Sequence, residues 1–314
     1  MTHARGRRFP GTLMTALSIA VMLVIATATT ANAQQSFAST EAAVDALIKA
    51  VRDGDKAAIL TVLGRGASDI VSSGDSVADA TTRKEFIAAY DAKHQITNEG
   101  DNKAIMVIGQ EDYPFPIPLV RGDGKWKFDT AAGREEILFR RIGRNELDVI
   151  QSCLAYVDAQ NEYAAEDRTG AGKGIYAQRV ISSPGKKNGL YWPDATGKDA
   201  SPLGEFVAMA TAEGYRANGV RTPFHGYYFK ILTQQGSAAA GGELDYVVHG
   251  KMIGGFALVA YPAEYRNSGV MTFIVNHTGV VYQKDLGPRT AQLAEKMIEF
   301  NPDKTWKEVP SGGN

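Results

Sequence analysis

One cysteine, Cys153, serves a chain of 314 residues. An internal disulfide needs two thiols, so the fold has to rest on apolar burial. This limit matters because the N-terminus carries the pattern of an export signal, and exported chains are the ones that commonly use disulfides. Arg5, Arg7 and Arg8 make a basic start, residues 9–40 carry no charge, and Ala31-Asn32-Ala33 supplies a small-x-small pattern before Gln34. Around an apolar run over 13–28, these features read as a secretory signal peptide at 1–33. An uncleaved single anchor is the other reading of the same run. The pair Arg7-Arg8 is a weak twin-arginine hint. The expected location is therefore periplasmic or extracellular in a bacterium, with no membrane span after cleavage.

Charge narrows the classes further. The formal net charge is −1, from 34 basic and 35 acidic residues. Residues 1–33 hold three of the arginines and no acid, so the mature chain is mildly acidic. No basic footprint for nucleic acid is present. A hydrophobic fraction of 44% with 22% charged residues suits a globular chain, and the length suggests two domains.

The first expected domain spans 36–142. Val44, Leu47, Ile48 and Val51 recur at i, i+3, i+4 and i+7, which predicts a helix over 40–53. Thr40 or Ser39 can cap it and Gly54 can end it. A short helix is expected at 55–63, then a Gly-, Ser- and Asp-rich loop over 64–80. Thr82 and Glu85 have the spacing of a capping box for a third helix at 83–94. Strands follow: an apolar run at 103–109, a Pro-rich stretch at 113–118 suited to an edge or turn, and a hairpin over 118–129 turning on Gly122-Asp123-Gly124. Helices ahead of an antiparallel sheet resemble the NTF2-like or cystatin-like α+β class. That resemblance implies a cone-shaped pocket, with Tyr113 and Trp126 as candidate lining residues.

The second expected domain spans 143–314. Its most regular feature is a helix at 144–165, with Leu147, Ile150, Leu154 and Val157 as the apolar stripe and Cys153 alongside. Cys153 is read as a small buried apolar residue. The charged run RRIGRNE at 140–146 is read as a solvated helix face, not an anion site. A long loop over 166–222 contains Tyr191, Trp192 and Pro193, the candidate contact surface. The same aromatics could instead fold back under the loop. Beyond it, strands are expected at 226–233, 244–249, 255–261, 270–276 and 280–285, followed by a helix at 290–300. Eleven of the thirteen tyrosines lie beyond residue 142, so this half has the more aromatic core.

Chemistry-bearing patterns are sparse. His94, His225, His249 and His277 show no metal-ligand spacing. Asp194 and Asp199 flank a loop without the spacing of an EF-hand. No Gly-x-Ser-x-Gly elbow occurs, and GAGKG at 170–174 lacks the Ser/Thr of a P-loop. No catalytic, cofactor-binding or metal-binding residue is therefore assigned, and no cofactor is expected.

Three segments carry a family likeness: RRIGRNELDVI (140–150), PFHGYYFKILTQQG (223–236) and GFALVAYPAEYRNSGVMTFIVNHTGVVYQKDLG (255–287). With these the chain resembles the exported bacterial family known as domain of unknown function 2950, a resemblance that implies no activity. More distantly, AYVDAQNEY (155–163) with GYYFKIL, FALVAYP and TFIVNHTGVVY is similar to the globular part of type IV pilin-like and pseudopilin proteins. That likeness implies a helix packed on a small antiparallel sheet. The expected fold class is thus α+β in two domains, NTF2-like then pilin-like. The expected role is that of a non-catalytic envelope protein acting by contact with an unknown envelope protein or surface. A small-molecule binder or hydrolase using a pocket in the first domain is the alternative.

Overall fold

The computed structural model describes residues 34–194, 199–212 and 222–310. The expected leader lies outside the described residues. Among those residues no helix is long and apolar enough to cross a membrane.

Four α-helices precede the first strand. In α1 (Thr40–Arg52), the expected stripe of Val44, Leu47 and Ile48 is buried, and Ser39 caps the start by accepting from the Ala42 amide. Helix α2 (Lys56–Leu63) is capped by Asp55 and buries Ile59, Val62 and Leu63. The expected loop over 64–80 is partly helical instead. It contains the short α3 (Ser68–Val71), and α4 (Ser76–Ala92) starts within it. The cap of α4 is Asp75, whose carboxylate accepts from Val77 and Ala78 N–H. Thr82 and Glu85 therefore lie inside this helix, not at its start. Asp75 is only 2% exposed, and a buried acceptor that satisfies two orphan amides outcompetes an exposed capping box.

The first sheet runs β1 (His94–Asn98), β2 (Lys103–Ile108), β4 (Leu119–Gly122) and β5 (Lys125–Phe128), all antiparallel. β3 (Tyr113–Pro114) pairs with the end of β2, which is the edge placement that its proline allows. The β4–β5 turn carries Asp123 and Gly124 at φ +51° and +73°, the left-handed pair of a type I′ hairpin.

A single helix, α5 (Thr130–Ala165), then runs 36 residues, about 54 Å at 1.5 Å per residue. It starts fourteen residues before the expected position, capped by Asp129, and the expected domain boundary at 142/143 falls inside it. Gly133 sits where the helix meets the loop from β3; a Cβ there would lie 2.5 Å from the Pro116 carbonyl.

The remaining elements form three small sheets around the C-terminal half of α5. Residues 166–194 hold isolated bridges, and α6 spans Gly204–Ala212. β6 (Tyr227–Leu232), β7 (Gln234–Gln235), β8 (Leu244–Asp245), β9 (Val247–Val248), β10 (Lys251–Met252), β11 (Ala257–Pro262), β12 (Met271–Asn276) and β13 (Val281–Asp285) follow. The chain closes with α7 (Thr290–Lys296), β14 (Glu299–Phe300) and β15 (Lys307–Glu308). The main sheet has the order β15-β13-β12-β11-β6 and lies against α5. The last helix is shorter than expected, because Glu299 and Phe300 leave it to pair in parallel with β7.

Apolar burial separates into two clusters. One gathers Leu47, Ile59, Met106, Ile117, Leu119 and Phe128 under α1, α2 and the first sheet. The other gathers Cys153, Tyr156, Tyr163, Phe256, Tyr261 and Phe273 between α5 and the main sheet. Mixed helices with antiparallel sheets make this an α+β fold.

Candidate functional site

Helix α4 lies between these observations and function. Of its seventeen residues only Tyr90 is buried. Val77, Ala78, Thr81, Thr82, Glu85 and Phe86, which share one helical face by their spacing, line a cavity of ≈ 540 Å³. The floor is apolar, built from Leu47 and Val51 of α1, Ile59 and Leu63 of α2, Ile108 of β2, and Ile117. α5 supplies the facing wall through Ile137, Arg140, Arg141, Arg144, Asn145 and Asp148. His225 stands at the edge.

The arginines are held differently from one another. Arg140 donates to Glu136 and lies over the Tyr113 ring at 4.7 Å. Arg141 donates to the carbonyls of Asp69 (2.6 Å) and Ile70 (2.5 Å) and to Asn267 Oδ1 (2.6 Å). All three acceptors are neutral oxygens, so the guanidinium is hydrogen-bonded without a direct ion pair. Burial pushes its pKa down from the usual arginine value, against the charges of Asp79, Asp69 and Glu264. The side chains of Arg83 and Arg144 make no hydrogen bond or ion pair to another described residue.

Two of the three acids that line the cavity are engaged. Asp79 accepts from the Ser73 hydroxyl at 2.7 Å and from its amide. Asp148 Oδ2 lies 3.1 Å from His225 Nδ1. His225 and Gly226, at φ +48° and +74°, form a type I′ turn between Phe224 and Tyr227, which pair through both of their amides. The turn carries His225 to α5 and aims the Gly226 N–H at Asp75 Oδ2, 3.1 Å away. Gly226 is required here twice over: its φ is positive, and a Cβ would lie 2.6 Å from Asn145 Nδ2.

A polar joint thus ties the cavity to the second half of the chain. Asn145 donates to the Ser268 carbonyl at 2.8 Å, and Asn267 donates to the Ser72 carbonyl at 2.9 Å and to Glu264 at 2.6 Å. Chemically, the mouth offers one imidazole–carboxylate pair that can hold or pass a proton, beside cationic groups over an apolar floor. Among the described residues no group of three His, Cys, Asp or Glu side chains is placed to hold a metal ion.

A family model described as "Protein of unknown function (DUF2950)" matches residues 34–309. The chain belongs to this family. The DUF2950 match covers every element described above, the cavity and the polar joint included. No curated protein and no solved structure is matched, so the likenesses to NTF2-like and pilin-like folds gain no support from solved structures.

Of the expected lining residues in this DUF2950 chain, Tyr113 lines the cavity. Trp126 is elsewhere, bridged to Phe37 at the sheet edge with Arg121 over its ring. Trp192 is 6% exposed and is turned inward between Arg168 and Lys187, its indole N–H donating to the Asp199 carbonyl at 2.8 Å. Its neighbours differ: Tyr191 is half-buried and Pro193 is exposed. A presented aromatic ridge is therefore not formed at Trp192, because the large ring gains more from burial against the loop than from solvent. The charged run at 140–146, expected as a solvated face, is exposed at Arg140, Gly143 and Arg144 and also supplies Arg140, Arg141, Arg144 and Asn145 to the cavity wall.

Proposed function

We propose that this protein is an exported, non-catalytic binder of a small molecule with substantial apolar surface, held between α4 and α5. The observation that carries this reading is the α4 face. Its apolar members, Val77, Ala78 and Phe86, meet open space over an apolar floor where a core would ordinarily be. Each apolar Å² left uncovered forfeits about 25 cal/mol, and an occupant recovers it. The volume also lies within the range of about 300–1,000 Å³ common to ligand pockets.

Export is supported by the charge-free apolar run ending in Ala31-Asn32-Ala33 and by a family match that starts at Gln34. A non-catalytic role is supported by how the polar groups are used: Arg141, Asn145, Asp79 and Asp148 are all engaged in holding loops in place.

Nile red, a neutral dye that brightens in apolar surroundings, tests the binding. It should brighten with the wild-type protein and fail to do so with Ala78→Trp, which fills the α4 wall. Equal brightening with both proteins would overturn the reading. Secreted protein should have the intact mass of a chain starting at Gln34; retention of residues 1–33 would defeat cleavage.

A second reading, contact with an envelope partner, is favoured by the outer face of α5. Phe139 (74% exposed), Leu147 (66%) and Leu154 (37%) fall on one side of that helix. If this face docks a partner, Leu147→Glu should abolish co-purification of that partner from an envelope extract while leaving Nile red binding intact.

A further inference from the structure

We infer that the occupant is an amphiphile with an anionic head, gripped by Arg83 of α4 and Arg144 of α5, with its apolar tail along Phe86, Ile108 and Ile137. The inference rests on the cavity reading above and specifies its ligand.

The two arginines line the cavity from its two facing helices. Arg83 is half-buried and Arg144 exposed, and neither side chain makes an ion pair or hydrogen bond to another described residue. Arg141, one turn before Arg144, donates to neutral acceptors and is held by the nearby charges of Asp79, Asp69 and Glu264, so it stands outside the head-group site. Four arginines and three carboxylates, Asp79, Glu85 and Asp148, line the cavity, and Arg140 is already paired with Glu136. Asp79 is taken by Ser73 and Asp148 by His225. Glu85 is the opposing charge, and it is exposed.

What favours an anion at this mouth is the two guanidiniums without a side-chain partner, Arg83 and Arg144, set against one carboxylate in the same position, Glu85. A guanidinium presents paired N–H donors that match a carboxylate or phosphate, and two of them from opposite walls can enclose one head group. The floor below them is apolar throughout. A wholly polar anion would leave that floor wet, and a wholly apolar molecule would leave two cations unneutralised at the rim. A single molecule carrying both features satisfies both surfaces.

Decanoate, decanol and acetate separate the contributions of head and tail by isothermal titration below micellar concentration. The wild-type protein should bind decanoate about tenfold more tightly than decanol, the scale of a charge-assisted hydrogen bond, and should show no measurable affinity for acetate. Arg83→Gln and Arg144→Gln, checked for unchanged circular dichroism and melting temperature, should each narrow that preference, and together remove it. Equal affinity for decanoate and decanol in the wild type would overturn the anionic head. A preference surviving in the double variant would overturn the assignment to Arg83 and Arg144. Acetate binding as tightly as decanoate would overturn the tail. Failure of both decanoate and decanol to bind would defeat the cavity reading itself, which separates that failure from the loss of head-group selectivity alone.

Discussion

The two apolar clusters solve the same problem in different ways. Around β11 and β12 the packing is closed. Val259, Ala260, Tyr261, Phe273 and Val275 are all 0% exposed, and α5 covers one side of the sheet. Around α4 the packing stops short, and a helix with one buried residue faces a hollow. A fold supported by burial alone, with no disulfide to help, gives up stability wherever it leaves space. The closed cluster is thus the part that pays for the open one, and the open one is where a ligand belongs.

Four substitutions put that contrast at risk, in falling order of effect. Phe273→Ala, in the closed cluster, should cost about 3–5 kcal/mol in urea unfolding; a cost below about 1 kcal/mol would remove the distinction. Asp75→Ala removes an acceptor shared by the start of α4 and the Gly226 amide and should cost about 2 kcal/mol. Its effect should fall on the open side, with Nile red binding weakened in the absence of denaturant. Cys153→Ala should cost about 1–2 kcal/mol and leave the chain monomeric by size exclusion. Phe86→Ala, on the hollow, should cost less than about 1 kcal/mol, because little packing is there to lose. A Phe86 cost matching that of Phe273 would show that the hollow is closed in solution.

The same thiol sharpens the comparison through pH. Burial pushes Cys153 up to about 12, whereas an unfolded thiol titrates near ~8.5. The native state therefore keeps a proton that the unfolded state releases. Its contribution to stability is complete below ~8.5 and is lost as pH rises from there toward 12. At pH 8, Ellman's reagent should leave Cys153 untouched in the native protein and react fully in urea; rapid labelling of native protein would refute the buried assignment.

Elements with a periodic apolar face could be read ahead of the structure. α1, α2, the β4–β5 hairpin, and β6, β11, β12 and β13 all have such a face or a fully apolar run. β1 could not. Its residues His94–Asn98 are mostly exposed, and it exists because its backbone pairs with β2. α4 was misplaced for a related reason. Most of its surface faces either solvent or the hollow, so no clean stripe marks it, and its cap Asp75 is recognisable only beside Gly226, 151 residues away. The hollow itself has the weakest signature of all. Its walls come from α1 through His225, and its arginines are indistinguishable in sequence from a solvated charge cluster. The one available signal was Asp129 ahead of Thr130, a start for α5 that would have joined Arg140 and Arg144 to the long helix.

The length of α5 has a practical corollary. Ile137 near its beginning and Tyr156 and Tyr163 toward its end serve separate clusters on one unbroken rod. Any cut between residues 130 and 165 would leave frayed stubs, each missing the turns that the other half steadies. Calorimetry of the intact protein should record a single melting peak that shifts as a whole when the hollow is filled, and efforts to grow crystals of either half alone should begin by keeping the entire rod.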